Sequence, residues 1–147
     1  MTSVEEALEA ELEAAAESGD PDAIADADVR AWVDGPGQSA DRVPEDIREL
    51  VREMDHVINE PGRATGRPQP MRPPAAGRLD RLAMPVLAVC GELDFSYHLE
   101  AARFLAEHAP DARAVTVPGV AHLPGLEAPA ELAALLTDFL VPLARWS

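Results

Sequence analysis

Cysteine is almost missing from this chain: Cys90 is the only one in 147 residues. A lone thiol excludes an internal disulfide and fits a reducing compartment. Aromatic residues are also sparse, at 4%, so a core has to be packed from Leu, Val, Ile and Ala. Positive charge is scarce, with 12 basic against 27 acidic residues and a formal net charge of −15. A field of that sign repels phosphate backbones and anionic lipid, so neither nucleic acid nor a membrane is expected as a partner. No apolar run approaches the roughly 18 residues that would span a bilayer. The opening MTSVEEALEAELEAAAESGD is acidic where a secretory or transit peptide needs basic flanks. The expected location is cytoplasmic. What is plentiful is aliphatic: 47% of the residues are hydrophobic, enough for one packed domain at this length.

Three textures follow one another. Residues 1–60 read as helices only. Thr2 or Ser3 caps a first helix carrying Val4, Leu8 and Leu12, with Glu5 and Glu6 in its first turn and Gly19 as its stop. A second starts at Pro21, carries Ile24, Val29, Trp32 and Val33, and ends near Asp34-Gly35-Pro36-Gly37. A third, from about Pro44 to Asn59, has the clearest apolar stripe in Ile47, Leu50, Val51, Met54, Val57 and Ile58. Residues 61–78, PGRATGRPQPMRPPAAGR, form a Pro/Gly/Arg linker with neither helix nor central strand. Residues 79–147 alternate strand and helix. Val86–Cys90 lacks polar alternation, which predicts a parallel strand buried on both faces. A helix over 98–109 follows, then a strand over 112–117, then an amphipathic helix from Pro129. The expected class is α/β, with two parallel strands in a right-handed β-α-β-α unit.

In such sheets, functional groups collect at the carboxyl ends of the strands. Two loops leave those ends here, Gly91-Glu92-Leu93-Asp94 and Pro118-Gly119-Val120-Ala121-His122. One offers a carboxylate and the other an imidazole, which suits an acid that orients a histidine base. On composition alone the pair stays open: Asp94 is equally a turn residue, and His122 equally an exposed loop histidine. Glu92 competes with Asp94 for the acid's place but reads as solvated, and Glu127 reads as a partner for nearby backbone. His56 sits beside Asp55 on a solvated face, while His98 and His108 mark the ends of one helix. The four histidines show no ligand spacing with each other or with Cys90, so no metal and no cofactor are expected. Trp32, Val33 and Met54 either line a pocket or pack the helical region.

The segments MPVLAVCGELD, AEHAPDARAVTVPGVAH and LPGLEAPAELAALLTDFL resemble the end of α/β-hydrolases. There a Pro-led strand ends in Gly-x-x-Asp, the next ends in a Pro-Gly-x-x-His loop, and a Pro-x-x-hydrophobic helix closes the fold. Carried over by position, the resemblance implies Asp94 as triad acid and His122 as triad base. SGDPDAIADA, AWVDGPG and VPEDIRELVREM are similar to the helical cap that these enzymes insert before the acid strand. The implied fold is partial: a helical cap followed by the C-terminal half of the core.

The nucleophile belongs upstream of the cap in this family, in a G-x-S-x-G elbow between strand and helix. Ser3 and Ser18 follow no strand, Ser39 stands in GQSAD without the second glycine, and Ser96 comes after the acid. Cys90 lies inside its strand and reads as a small buried hydrophobe. The implied function is a truncated or half hydrolase for an ester, lactone or similar acyl compound, inactive alone. The alternatives are one chain of a two-chain hydrolase and a non-catalytic interaction module. A two-strand sheet leaves an unpaired edge, which invites self-association or an N-terminal half-protein.

Overall fold

The computed structural model describes residues 1–59 and 69–144. Helix α1 spans Ser3–Ser18, opened by a capping box in which Thr2 and Glu5 satisfy each other's backbone N–H, and it stops at Gly19. Helix α2, Pro21–Asp28, is capped by Asp20 and runs directly into a π-helical turn over Val29–Asp34. After a short 3₁₀ turn, Ala40–Arg42, helix α3 covers Glu45–Ile58. The expected linker lies partly outside the described residues, at 61–68. Its end is more ordered than its prolines suggest, since Ala75–Arg81 winds into 3₁₀ turns.

Strand β1, Val86–Gly91, then helix α4, Ser96–His108, and strand β2, Ala112–Val117, make one parallel crossover unit. Val86 pairs with Ala112 and Gly91 with Val117, so the two strands end level. A four-residue helix α5, Pro124–Glu127, and a final helix α6, Pro129–Ala144, complete the chain. No described helix is long and apolar enough to cross a membrane.

Burial is uneven. A core cluster is formed by Val29, Val33, Val43 and Val51, with Ile47, Leu123 and Leu126 packed against it. It therefore joins the N-terminal helices to the segment after β2. The sheet is covered less well. Val86–Cys90 is only half-buried, which corrects the expectation of a strand buried on both faces. Helix α4 packs on this sheet, and β1 pairs only with β2 among the described residues. Helix α6 buries none of its described residues, and Leu136, Leu140, Val141 and Leu143 are exposed. The α3 stripe behaves likewise: Val51 is buried, but Leu50, Met54 and Ile58 are exposed.

Glu5, in the first turn of α1, is 4% exposed. Beyond closing the α1 capping box, its carboxylate accepts from the backbone N–H and the hydroxyl of Ser96. Ser96 is the first residue of α4, whose own N-cap, Phe95, supplies no side-chain bond. One carboxylate thus serves the free N–H groups of two helices. These bonds, that of the Ser96 N–H foremost, hold its pKa down at about 2 despite burial.

The strand ends are set by a glycine. A Cβ on Gly91 would lie 1.9 Å from the Ala121 carbonyl oxygen and 2.2 Å from that of Val120. Leu93 N–H donates to Val120 O at 2.8 Å and Glu92 N–H to Val117 O at 2.9 Å, so the two exit loops are bonded to each other.

Two outcomes follow. Gly91→Ala forces the backbones apart and costs at least the upper end of the about 1–3 kcal/mol of overpacking, measurable by urea denaturation. Glu5 has a folded pKa below its unfolded one, so its stabilisation is complete above the ordinary carboxylate range. It fades as pH falls from about 4.5 towards 2. Glu5→Gln flattens that part of the stability-against-pH curve.

Candidate active site

Both exit loops deliver their polar side chain to one place. Asp94 immediately precedes Phe95 and α4, and its side chain is 4% exposed. Its Oδ2 meets His122 Nδ1 at 2.9 Å. Its Oδ1 meets His98 Nδ1 at 2.9 Å and accepts the Phe95 N–H at 2.8 Å. The two residues singled out in the sequence are therefore in direct contact. His98 joins them because it stands in the first turn of α4, where side chains tip towards the helix start.

Electrostatics follow from this sharing. Burial alone would raise the Asp94 pKa, but the bonds from His122 and His98 outweigh it and hold the group below its usual value. His122 moves the opposite way: its bond to Asp94 raises the imidazole pKa against the effect of burial. The His122 ring packs on Trp32, with centroids 4.9 Å apart, and lies 4.8 Å from the His98 ring. The backbone N–H of His122 donates to the Trp32 carbonyl at 3.3 Å. That carbonyl belongs to the π-helical turn, a geometry often found at functional sites.

A second ring of contacts fixes the His122 loop. Glu127 accepts the N–H groups of Ala121 and Leu123, as expected of a backbone partner. Its Oε2 also pairs with Arg42 Nη1 at 2.6 Å. Arg42 donates further to the carbonyls of Val33, Asp34 and Gly119, tying the N-terminal helices to the loop. The Asp34 side chain in turn takes two bonds from Arg48. Glu92 is exposed, as expected, and it accepts the Gly119 N–H at 2.9 Å, bracing the same loop.

Beside His122 lies a cavity of about 260 Å³ with an apolar lining that includes Trp32, Val51, Met54, Ile58 and Leu126. Asp55 shares its wall. Burial, with the nearby charge of Asp28, lifts the Asp55 pKa to about 6, and its Oδ2 has no hydrogen-bond partner among the described residues. Trp32 and Met54 thus line a pocket, while Val33 is fully buried core.

The other candidates lie elsewhere. Ser96 Oγ is committed to Glu5, and Ser39 Oγ to Asp41. The Cys90 thiol donates weakly to His98 O at 3.6 Å, and burial raises its pKa, which suits an inert thiol. His56 pairs with the exposed Asp22 at 3.3 Å, and His108 bonds Phe104 O at 2.8 Å. Asp94 and His122 are geometrically able to orient and charge a base; neither Ser39 nor Ser96 stands with them. No protein-family model matches this chain, and neither a curated protein nor a solved structure is detectably similar to it.

The Arg42–Glu127 contact is well buried, with side chains 18% and 4% exposed. Glu127→Ala leaves Arg42 without its carboxylate and frees two backbone donors, at a cost of about 3 kcal/mol. In NMR spectra the His122 ring signals broaden, while those of His108 stay unchanged.

Proposed function

We propose that this chain is the cap and C-terminal half of a serine-type α/β-hydrolase for an ester, lactone or similar acyl compound. Its nucleophile comes from polypeptide outside residues 1–147. The observation that carries the reading is the 2.9 Å bond from His122 Nδ1 to Asp94 at the carboxyl ends of two adjacent parallel strands. That bond leaves the Nε2 side of the ring to accept a proton from an incoming hydroxyl. The roles would be those of a triad: the serine attacks the carbonyl carbon, His122 takes the serine proton and returns it to the leaving group, and Asp94 stabilises the imidazolium between those steps. The apolar cavity beside His122 suits a small acyl group. The exposed leucines of α6 and the β1 edge without a partner among the described residues suit a site completed by further strands.

The same exposed surfaces support a second reading, a non-catalytic interaction module derived from this fold. The two separate on one experiment. The coding DNA upstream of the Met1 codon is read for an in-frame strand, G-x-S-x-G and helix, and the extended polypeptide is assayed on p-nitrophenyl esters. The hydrolase reading expects saturable turnover that falls about 10⁴-fold or more in His122→Ala. Residues 1–147 alone give only the slow background of an exposed imidazole. Turnover indifferent to His122→Ala would sink the assignment. Absence of any upstream frame, with concentration-dependent self-association by light scattering, favours the interaction module.

A further inference from the structure

The acid and base account for two of the three side chains at the strand ends. His98 is left over: a serine-type reaction needs one imidazole on the acid, and this acid carries two. We propose that Asp94, His98 and His122 together bind one divalent first-row transition metal ion, with Zn²⁺ or Co²⁺ as suitable probes. This goes beyond the hydrolase reading and does not depend on it.

The donor set is of the right type. Two imidazole nitrogens and a carboxylate suit ions of borderline softness, and two histidines with one carboxylate leave positions open for water. The spacing is close to what coordination needs. Each Nδ1 stands 2.9 Å from a different oxygen of Asp94. Ligand bonds of about 2.0–2.2 Å that span such an edge meet at roughly 90°. All three donor atoms fall within 4.8 Å of one another. Two ligands of a tetrahedral ion stand about 3.4 Å apart, so the rings must rotate to bring the wider pair of donors together.

The surroundings permit that closure. Asp94 is anchored by the Phe95 N–H and is nearly inaccessible, whereas the side chains of His98 and His122 are 29% and 39% exposed. The rings can therefore adjust, and water can reach the ion from their side. The sequence separation hides this set, because Asp94 and His98 are four residues apart while His122 lies 28 beyond Asp94. A net charge of −15 also raises the local concentration of any dication.

Binding puts the ion in place of the two Nδ1 protons, each neutral ring keeping its proton on Nε2 and any excess proton passing to solvent, so a metal held here occupies the His122 nitrogen that otherwise faces Asp94. The test is titration of the chelator-treated full chain with Zn²⁺ by calorimetry, and with Co²⁺ by visible absorption and NMR. One equivalent should bind, and paramagnetic Co²⁺ should broaden the ring signals of His98 and His122 before those of His56 and His108. His98→Ala should weaken binding at least about tenfold, and His56→Ala and His108→Ala should leave it unchanged. Far-UV circular dichroism checks the fold of each variant, and the Co²⁺ broadening in the unaltered chain needs no variant. No saturable binding at micromolar metal, equal broadening of all four histidines, or undiminished binding in His98→Ala would each overturn the proposal and leave a purely hydrogen-bonded trio.

Discussion

Everything at the site depends on how closely two loops approach as they leave the sheet. The backbone at Gly91 runs against the carbonyls of Val120 and Ala121 at a distance no side chain could share. The cross-bonds from Leu93 and Glu92 hold that approach in register. Because β1 and β2 end level, Asp94 and His122 leave the sheet side by side. The N-terminal helices then close on this junction from the other side. A Cβ on Gly35, at a φ of +90°, would meet the Leu93 carbonyl at 2.8 Å. Arg42 bridges the same helices to Gly119 and Glu127. Backbone fit comes first, and the polar pair inherits its geometry from it.

The elements were largely legible in the sequence because their signals are local. The capping pair at Thr2 and Glu5, the stop at Gly19 and the unalternated run Val86–Cys90 each declare an element within a few residues. Asp94 and His122 were legible as candidates because a strand end marks each of them. Contacts between distant positions were not. Glu5 reaches Ser96 across 91 residues and Arg42 reaches Gly119 across 77, and no periodicity encodes either. The contact of His98 with Asp94 is hidden for a related reason. Its place in the first turn of α4 is a matter of helix phase against the preceding loop, which composition does not register.

Apolar periodicity shows a limit of another kind. The stripes on α3 and α6 are real as patterns, yet much of both is exposed. A pattern states which face avoids water and leaves open what covers it. Among the described residues, α4 is the helix packed closely on the sheet, so β1 reads as an interior strand while remaining half-buried. Charge tells a similar story. The chain is strongly acidic, but the acids that organise the fold are few, and they are the ones drawn out of water: Glu5, Asp34, Asp94 and Glu127.

Asp94 brings these threads to one atom pair. A carboxylate with so little access to water needs donors for both oxygens, or its charge is too costly to keep. Phe95 N–H and His98 satisfy Oδ1, and His122 satisfies Oδ2. His98 thus helps to keep the acid ionised inside the fold, and in doing so it draws on the same negative charge that raises the pKa of His122. The acid cannot serve one imidazole fully while it is shared with another. A hydrolytic pair needs that charge concentrated on His122, whereas a metal ion needs it divided between two nitrogens. The Asp94 charge is therefore divided between two imidazoles, each of which meets a different oxygen of the carboxylate.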